Sequence, residues 1–208
     1  MRYKWLNKNN NDKLIVFFNG WGMDDKVISH LDCEDFDVLS FCDYETFEIP
    51  NFDFSTYSKK YLIAWSMGVF VCNYFYETFC NFDKYIAING TQNPIDDEFG
   101  IPKKIYDLTV NNFNELSCAK FMKKISSSVD LNSYKSRSNE ELKNELISIR
   151  DLKVKNYFNF DEAIVADKDR IIPTQNQINF WNKQGVTIKS ETGAHYIFDK
   201  YKNWRDFL

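Results

Sequence analysis

Residues 13–25, KLIVFFNGWGMDD, hold five consecutive apolar residues, Leu14 to Phe18, and then break at Asn19-Gly20. An unbroken run of β-forming residues bounded by a turn signal reads as a strand buried on both faces. FDVLSFCDY (36–44), YLIAWS (61–66), KYIAING (84–90), EAIVADKD (162–169) and VTIKSETG (186–193) are five further candidate strands. Helical stretches lie between them. From Met67 to about Phe79 apolar residues recur at helical spacing (Val69, Cys72, Phe75, Tyr76, Phe79), and TQNQINFWNKQ (174–184) is a second such stretch. Short apolar strands alternating with helices imply a mostly parallel sheet covered on both faces, with ligands collecting at the carboxyl ends of the strands. The expected fold class is α/β.

The interval 94–155 breaks that alternation. It opens with PIDDEFGIP, carries an amphipathic pattern through Phe113, Leu116, Phe121 and Ile125, and passes a serine-rich patch at 126–128. Helical NEELKNELISIR (139–150) follows. A helical insertion after the fourth strand is expected, covering the carboxyl edge of the sheet as a cap. The 208 residues suffice for one domain with a full core plus such an insertion.

Composition removes several functional classes. The net charge of −4 and pI near 5.3 do not suit a nucleic-acid binder. Five cysteines without a CxxC pair suggest reduced, mostly buried thiols and no disulfide frame. Two histidines are too few for a histidine-rich metal site. The first residues, MRYKWLNKNNND, are polar and lack a signal-peptide core, and no apolar run approaches the roughly 18 residues of a membrane span. A soluble, cytoplasmic protein is expected, with no membrane partner. The 19 Phe and 12 Tyr suit deep packing or an apolar substrate tunnel, and composition does not distinguish the two.

Four stretches sit just past strand ends on one edge of the expected sheet. In LIAWSMGVF (62–70) a lone serine, Ser66, stands between an apolar strand and an apolar helix, with Gly68 two residues on. That is the shape of a nucleophile elbow, where a tight strand-to-helix turn presents the hydroxyl. A serine capping a helix is the plainer alternative. His195, in TGAHYIF, follows the last strand and is the candidate general base; His30, on the apparent first helix, is read as structural. Asp169, in IVADKDRIIP, is the candidate acid that orients the imidazole, with Asp167 as rival two residues away. The order Ser66, Asp169, His195 is that expected for α/β-hydrolases. In FFNGWG, Gly20 and Gly22 allow a close loop, so the Trp21 backbone N–H is one candidate oxyanion donor and that of Met67 the other. No GxxxxGK[ST] phosphate loop occurs.

Together FFNGWGMD, AWSMG, DKDRIIP and GAH resemble the α/β-hydrolases of biotin synthesis, the pimeloyl-ACP methyl ester esterases. The compact form called BioG is the nearer likeness, and the larger BioH carries the same Gly-Trp-Gly and Trp-Ser-x-Gly signatures. The resemblance runs from about residue 13 to 200 and is weakest in the cap. Asn19 stands where histidine is usual, and Ala64 where glycine is. The resemblance implies a serine esterase that removes the methyl group of pimeloyl-ACP methyl ester. Ser66 would be the nucleophile, His195 the base and Asp169 its orienting acid. The Trp21 ring would flank the acyl chain, and Phe121 would be a further contact. The chemistry requires no metal or organic cofactor.

The partner so implied is an acyl carrier protein, which is acidic. The interval 94–155 carries 11 Lys and Arg against 10 Asp and Glu, whereas the remainder carries 15 against 20. Lys103, Lys104, Lys120, Lys123 and Lys124 are the expected docking residues. Two other readings stay open on sequence: a thioesterase or small-ester carboxylesterase of the same fold, and a carrier- or lipid-binding protein without catalysis.

Overall fold

The computed structural model describes residues 1–126, 128–134 and 136–208, so Ser127 of the serine-rich patch lies outside the described residues. Seven strands form one sheet: β1 Arg2–Asn7, β2 Lys13–Phe18, β3 Phe36–Cys42, β4 Lys59–Trp65, β5 Lys84–Ile88, β6 Glu162–Ala166 and β7 Thr187–Glu191. Their order is β1-β3-β2-β4-β5-β6-β7. All neighbours are parallel except β1, which runs antiparallel to β3. Leu14 to Phe18 are buried without exception, as strands covered on both sides require. Phe18 stacks on Phe41 of the neighbouring strand with ring centroids 4.9 Å apart.

The chain leaves β2 to form β3 on one side and returns to form β4 on the other. The carboxyl ends of β2 and β4 therefore lie side by side, with Phe18 paired to Ala64, at the switch point where such sheets open a crevice.

The expected helix from Met67 to Phe79 is not continuous. It is divided into α1 Gly68–Val71, a 3-10 turn Cys72–Phe75 and α2 Tyr76–Phe79. Buried Asn73 explains the break: its side-chain amide donates back to the carbonyls of Val69 (2.7 Å) and Phe70 (3.0 Å). Its carbonyl oxygen accepts from the Phe158 N–H and from Gln92.

Among the described residues three α-helices lie between β5 and β6: α3 Lys103–Asn111, α4 Glu115–Ile125 and α5 Asn139–Asp151. The apolar face of α4 is only in part the one read from the sequence: Ile125 is buried and Phe121 half-buried, but Leu116 is not. Cys118, Met122 and Ile125 are buried at i, i+4 and i+7, while Leu116, on the opposite side of the helix from Cys118, is 65% exposed. Strand β1 was not among the expected strands, and in place of a first helix there is a short 3-10 turn (Asp25–Ile28), with His30 in the turn just after it. His30 bonds the Phe198 carbonyl at 2.9 Å and makes no hydrogen bond to Ser66 or Asp169. Helix α6 spans Thr174–Gln184, matching the stretch read from sequence, and ends at Gly185 in the left-handed conformation. Among the described residues no helix is long and apolar enough to cross a membrane.

Candidate active site

Ser66 occupies a left-handed backbone conformation, φ 56°, which few non-glycine residues adopt. The turn is tight enough that its neighbours must be glycine. A Cβ on Gly68 would stand 2.5 Å from the carbonyl oxygens of Phe18 and Asn19, and one on Gly90 would stand 2.4 Å from that of Ser66. The Ser66 N–H is anchored on the Ile88 carbonyl at the end of β5. Strain held by surrounding packing is what a turn that projects one hydroxyl demands.

That hydroxyl meets His195. The Ser66 Oγ to His195 Nε2 distance is 2.8 Å, and His195 Nδ1 lies 2.7 Å from Asp169 Oδ2. A carboxylate only accepts, so the proton sits on Nδ1 and Nε2 accepts from the serine hydroxyl. All three residues are buried. Asp169 is saturated with donors: Oδ1 accepts from the N–H groups of Ile171 (2.8 Å) and Ile172 (3.2 Å), and Oδ2 also accepts from Gln177 Nε2 (2.8 Å). Asp167, the rival by sequence, is exposed and accepts from the Gly193 N–H, so it shapes the turn before His195 without touching the ring.

Several residues that sequence reasoning missed hold this line in place. The His195 carbonyl accepts from Asn89 Nδ2 (2.8 Å) and Trp65 Nε1 (3.1 Å), and Asn89 Oδ1 accepts from the Ala166 N–H. Gln177 had a readable signal. With Phe180 and Trp181 it forms the buried stripe of α6, and a polar residue at a core position must be claimed by a partner. Glu145 gives the same signal on α5, between Leu142, Leu146 and Ile149.

A cavity of about 690 Å³, including the part open to solvent, lies over Ser66 and His195. Its walls are largely apolar, with Trp21, Met67, Ile101, Ile105 and Leu146 among them. Phe121 of α4 lines it too and packs edge-on against Trp21 at 4.9 Å. The turn Gly20–Met23 is closed by the Met23 N–H on the Gly20 carbonyl, and Gly22 supplies the positive φ of 76° that its third position requires. Among the described residues neither the Trp21 nor the Met67 backbone N–H donates to an acceptor. Burial holds the Tyr44 and Tyr106 phenols well above their ordinary range, and they donate to the carbonyls of Asn19 and Leu146. Of the five candidate lysines, Lys124 reaches the cavity mouth, alongside Arg170. Lys103 and Lys104 start α3, Lys120 and Lys123 lie on α4, and all are exposed.

The family model described as pimeloyl-ACP methyl esterase BioG matches residues 1–207. The chain belongs to the BioG family. The crystal structure of BioG from Haemophilus influenzae is 30% identical and superposes with a TM-score of 0.89, covering 100% of this chain and 99% of that one. A malonyl-[acyl-carrier protein] O-methyltransferase of Bacteroides fragilis is 35% identical over 195 residues, which are 88% of this chain and 39% of that protein. The chain thus spans well under half the length of that relative. A lipase-esterase related protein from Clostridium acetobutylicum, 14% identical with a TM-score of 0.65 over 100% of this chain and 99% of that one, shares the fold. The fold is that of the α/β-hydrolases. BioG membership supports an esterase-type function in biotin synthesis.

Proposed function

We propose that this protein is a cytoplasmic serine esterase that hydrolyses the methyl ester of pimeloyl-ACP methyl ester to pimeloyl-ACP and methanol. The observation that carries the proposal is the buried line Asp169–His195–Ser66, opening on an apolar cavity flanked by two backbone N–H groups without acceptors among the described residues. His195 Nε2 takes the Ser66 proton as Oγ bonds the ester carbonyl carbon. The charge that forms on the carbonyl oxygen is stabilised by the N–H groups of Trp21 and Met67. His195 returns the proton to the methoxy oxygen, the carbon–oxygen bond breaks and methanol leaves. Water then loses a proton to His195 and attacks the acyl carbon. Ser66 recovers its proton as the free acid departs.

The cavity suits this substrate. Methanol is a small leaving group, so the apolar volume serves the retained methylenes, with the rings of Trp21 and Phe121 against them. The relative named for methylation of a carrier-bound malonyl group supports a carrier-linked methyl ester. The acidic carrier would dock on the exposed Lys103, Lys104, Lys120, Lys123 and Lys124.

Methanol release from pimeloyl-ACP methyl ester and from a short free methyl ester, with Ser66→Ala as control, tests the proposal. Turnover of the carrier-bound ester, reduced by about 10⁴-fold or more in Ser66→Ala, is expected. Turnover of the free ester alone would make the protein a general carboxylesterase.

A further inference from the structure

The buried pair Arg137–Glu145 takes no part in the mechanism above, yet it reaches the loop on which the mechanism depends. Glu145 is fully buried on α5. Its carboxylate accepts three hydrogen bonds: from Arg137 Nη2 (2.7 Å), from the Gly22 N–H (3.2 Å) and from the Tyr44 N–H (3.0 Å). Arg137 Nη1 reaches Asp43 at 2.9 Å, so the guanidinium is held from both sides. Helix α5 grips the same turn a second time, because the Leu142 carbonyl accepts from the Trp21 indole N–H at 2.9 Å.

The turn Gly20–Met23 has a soft degree of freedom. Its central peptide, Trp21 to Gly22, can rotate by about half a turn, interchanging the directions of the Trp21 carbonyl and the Gly22 N–H. A carboxylate facing the Gly22 N–H attracts one orientation and repels the other, in which a carbonyl oxygen would point at it. The Trp21 N–H belongs to the preceding peptide, Gly20 to Trp21, and is held through the Trp21 Cα, which the indole bond to Leu142 fixes on one side and the Gly22 N–H bond to Glu145 on the other.

We propose that Glu145, aimed by Arg137, is a positioning residue that sets the oxyanion loop, linking α5 to the chemistry at Ser66. This rests on the reading of Ser66 as nucleophile and of the Trp21 N–H as oxyanion donor. Because Glu145 acts through the loop, its loss should weaken transition-state binding and leave ground-state binding nearly intact.

The test uses the full chain, a short p-nitrophenyl ester, and butylboronic acid as a probe that mimics the tetrahedral adduct on serine. Glu145→Gln is compared with wild type and with Ser66→Ala. The double variant Glu145→Gln, Arg137→Met removes both charges and guards against misfolding caused by an unpaired buried guanidinium. The expected result is a fall in kcat of about tenfold to a hundredfold, somewhat below the loss of a whole oxyanion donor. KM should stay within about twofold, and the inhibition constant for butylboronic acid should rise in proportion to the fall in kcat. A folded single or double variant with wild-type kcat and unchanged boronic acid inhibition would overturn the inference. Hydrolysis that persists in Ser66→Ala would instead defeat the esterase mechanism, which separates the two failures.

Discussion

At the scale of single residues, the site depends on close backbone packing around one strained serine. The left-handed conformation of Ser66 persists because the loops after β2 and β5 press against the turn wherever glycine permits. Gly68→Ala would drive a methyl group into the carbonyls of Phe18 and Asn19, neither of which can retreat without breaking the turn. It is expected to destabilise the protein by about 3 kcal/mol, read as a drop in the urea midpoint. Gly185→Ala is the control. A Cβ there meets nothing within 4 Å, and only the left-handed φ of 70° opposes it, at about 1 kcal/mol. Asp169 illustrates what residue types leave open. Asp167 and Asp169 are alike in kind and in neighbourhood along the chain, and only the path of the loop brings one of them to the imidazole.

At the scale of elements, α5 has two tasks. Its inward stripe of Leu142, Leu146 and Ile149 buries apolar surface, and from the same face Leu142 and Glu145 grip the loop after β2. The helix begins in a reciprocal cap, in which the Ser138 side chain accepts from the Glu141 N–H and the Glu141 carboxylate accepts from that of Ser138. Ser138→Ala is expected to cost about 1 kcal/mol in denaturant unfolding while kcat changes by less than about twofold. A much larger fall in kcat would mean that the first turn of α5 governs the Gly20–Met23 turn directly. The broken helix after Ser66 reflects a conflict between local pattern and tertiary demand. Its apolar spacing is helical throughout, but buried Asn73 is required by Gln92 and the Phe158 backbone, and the α-helical ladder yields. Strand β1 shows the opposite case: a polar segment with a weak pattern of its own becomes a strand because β3 offers an edge to pair with.

At the scale of the whole molecule, charge is divided unevenly: a net of +1 over residues 94–155 against −5 over the rest. If the α3 and α4 lysines receive an acidic carrier, Lys123→Glu with Lys124→Glu should raise KM for the carrier-bound ester about tenfold or more, with the short free ester turned over as before. Raising ionic strength should weaken the first reaction and spare the second. Unchanged carrier-bound turnover in the charge-reversed protein would move the docking surface elsewhere. The sequence by itself determined the six central strands of the mostly parallel sheet, to within about three residues at their carboxyl ends, and the types of group gathered on one edge. Runs of apolar residues, turn residues and helical periodicity are local signals, and a parallel sheet aligns its carboxyl ends whatever the side chains do. Only the tertiary structure decided which aspartate faces His195, that Leu116 points to solvent, that Asn73 interrupts a helix, and that Glu145 reaches Gly22 across 123 positions of chain. Each of these turns on which surface a side chain meets, and buried polar groups must be partnered by whatever the fold brings near them, a condition no local stretch of sequence contains.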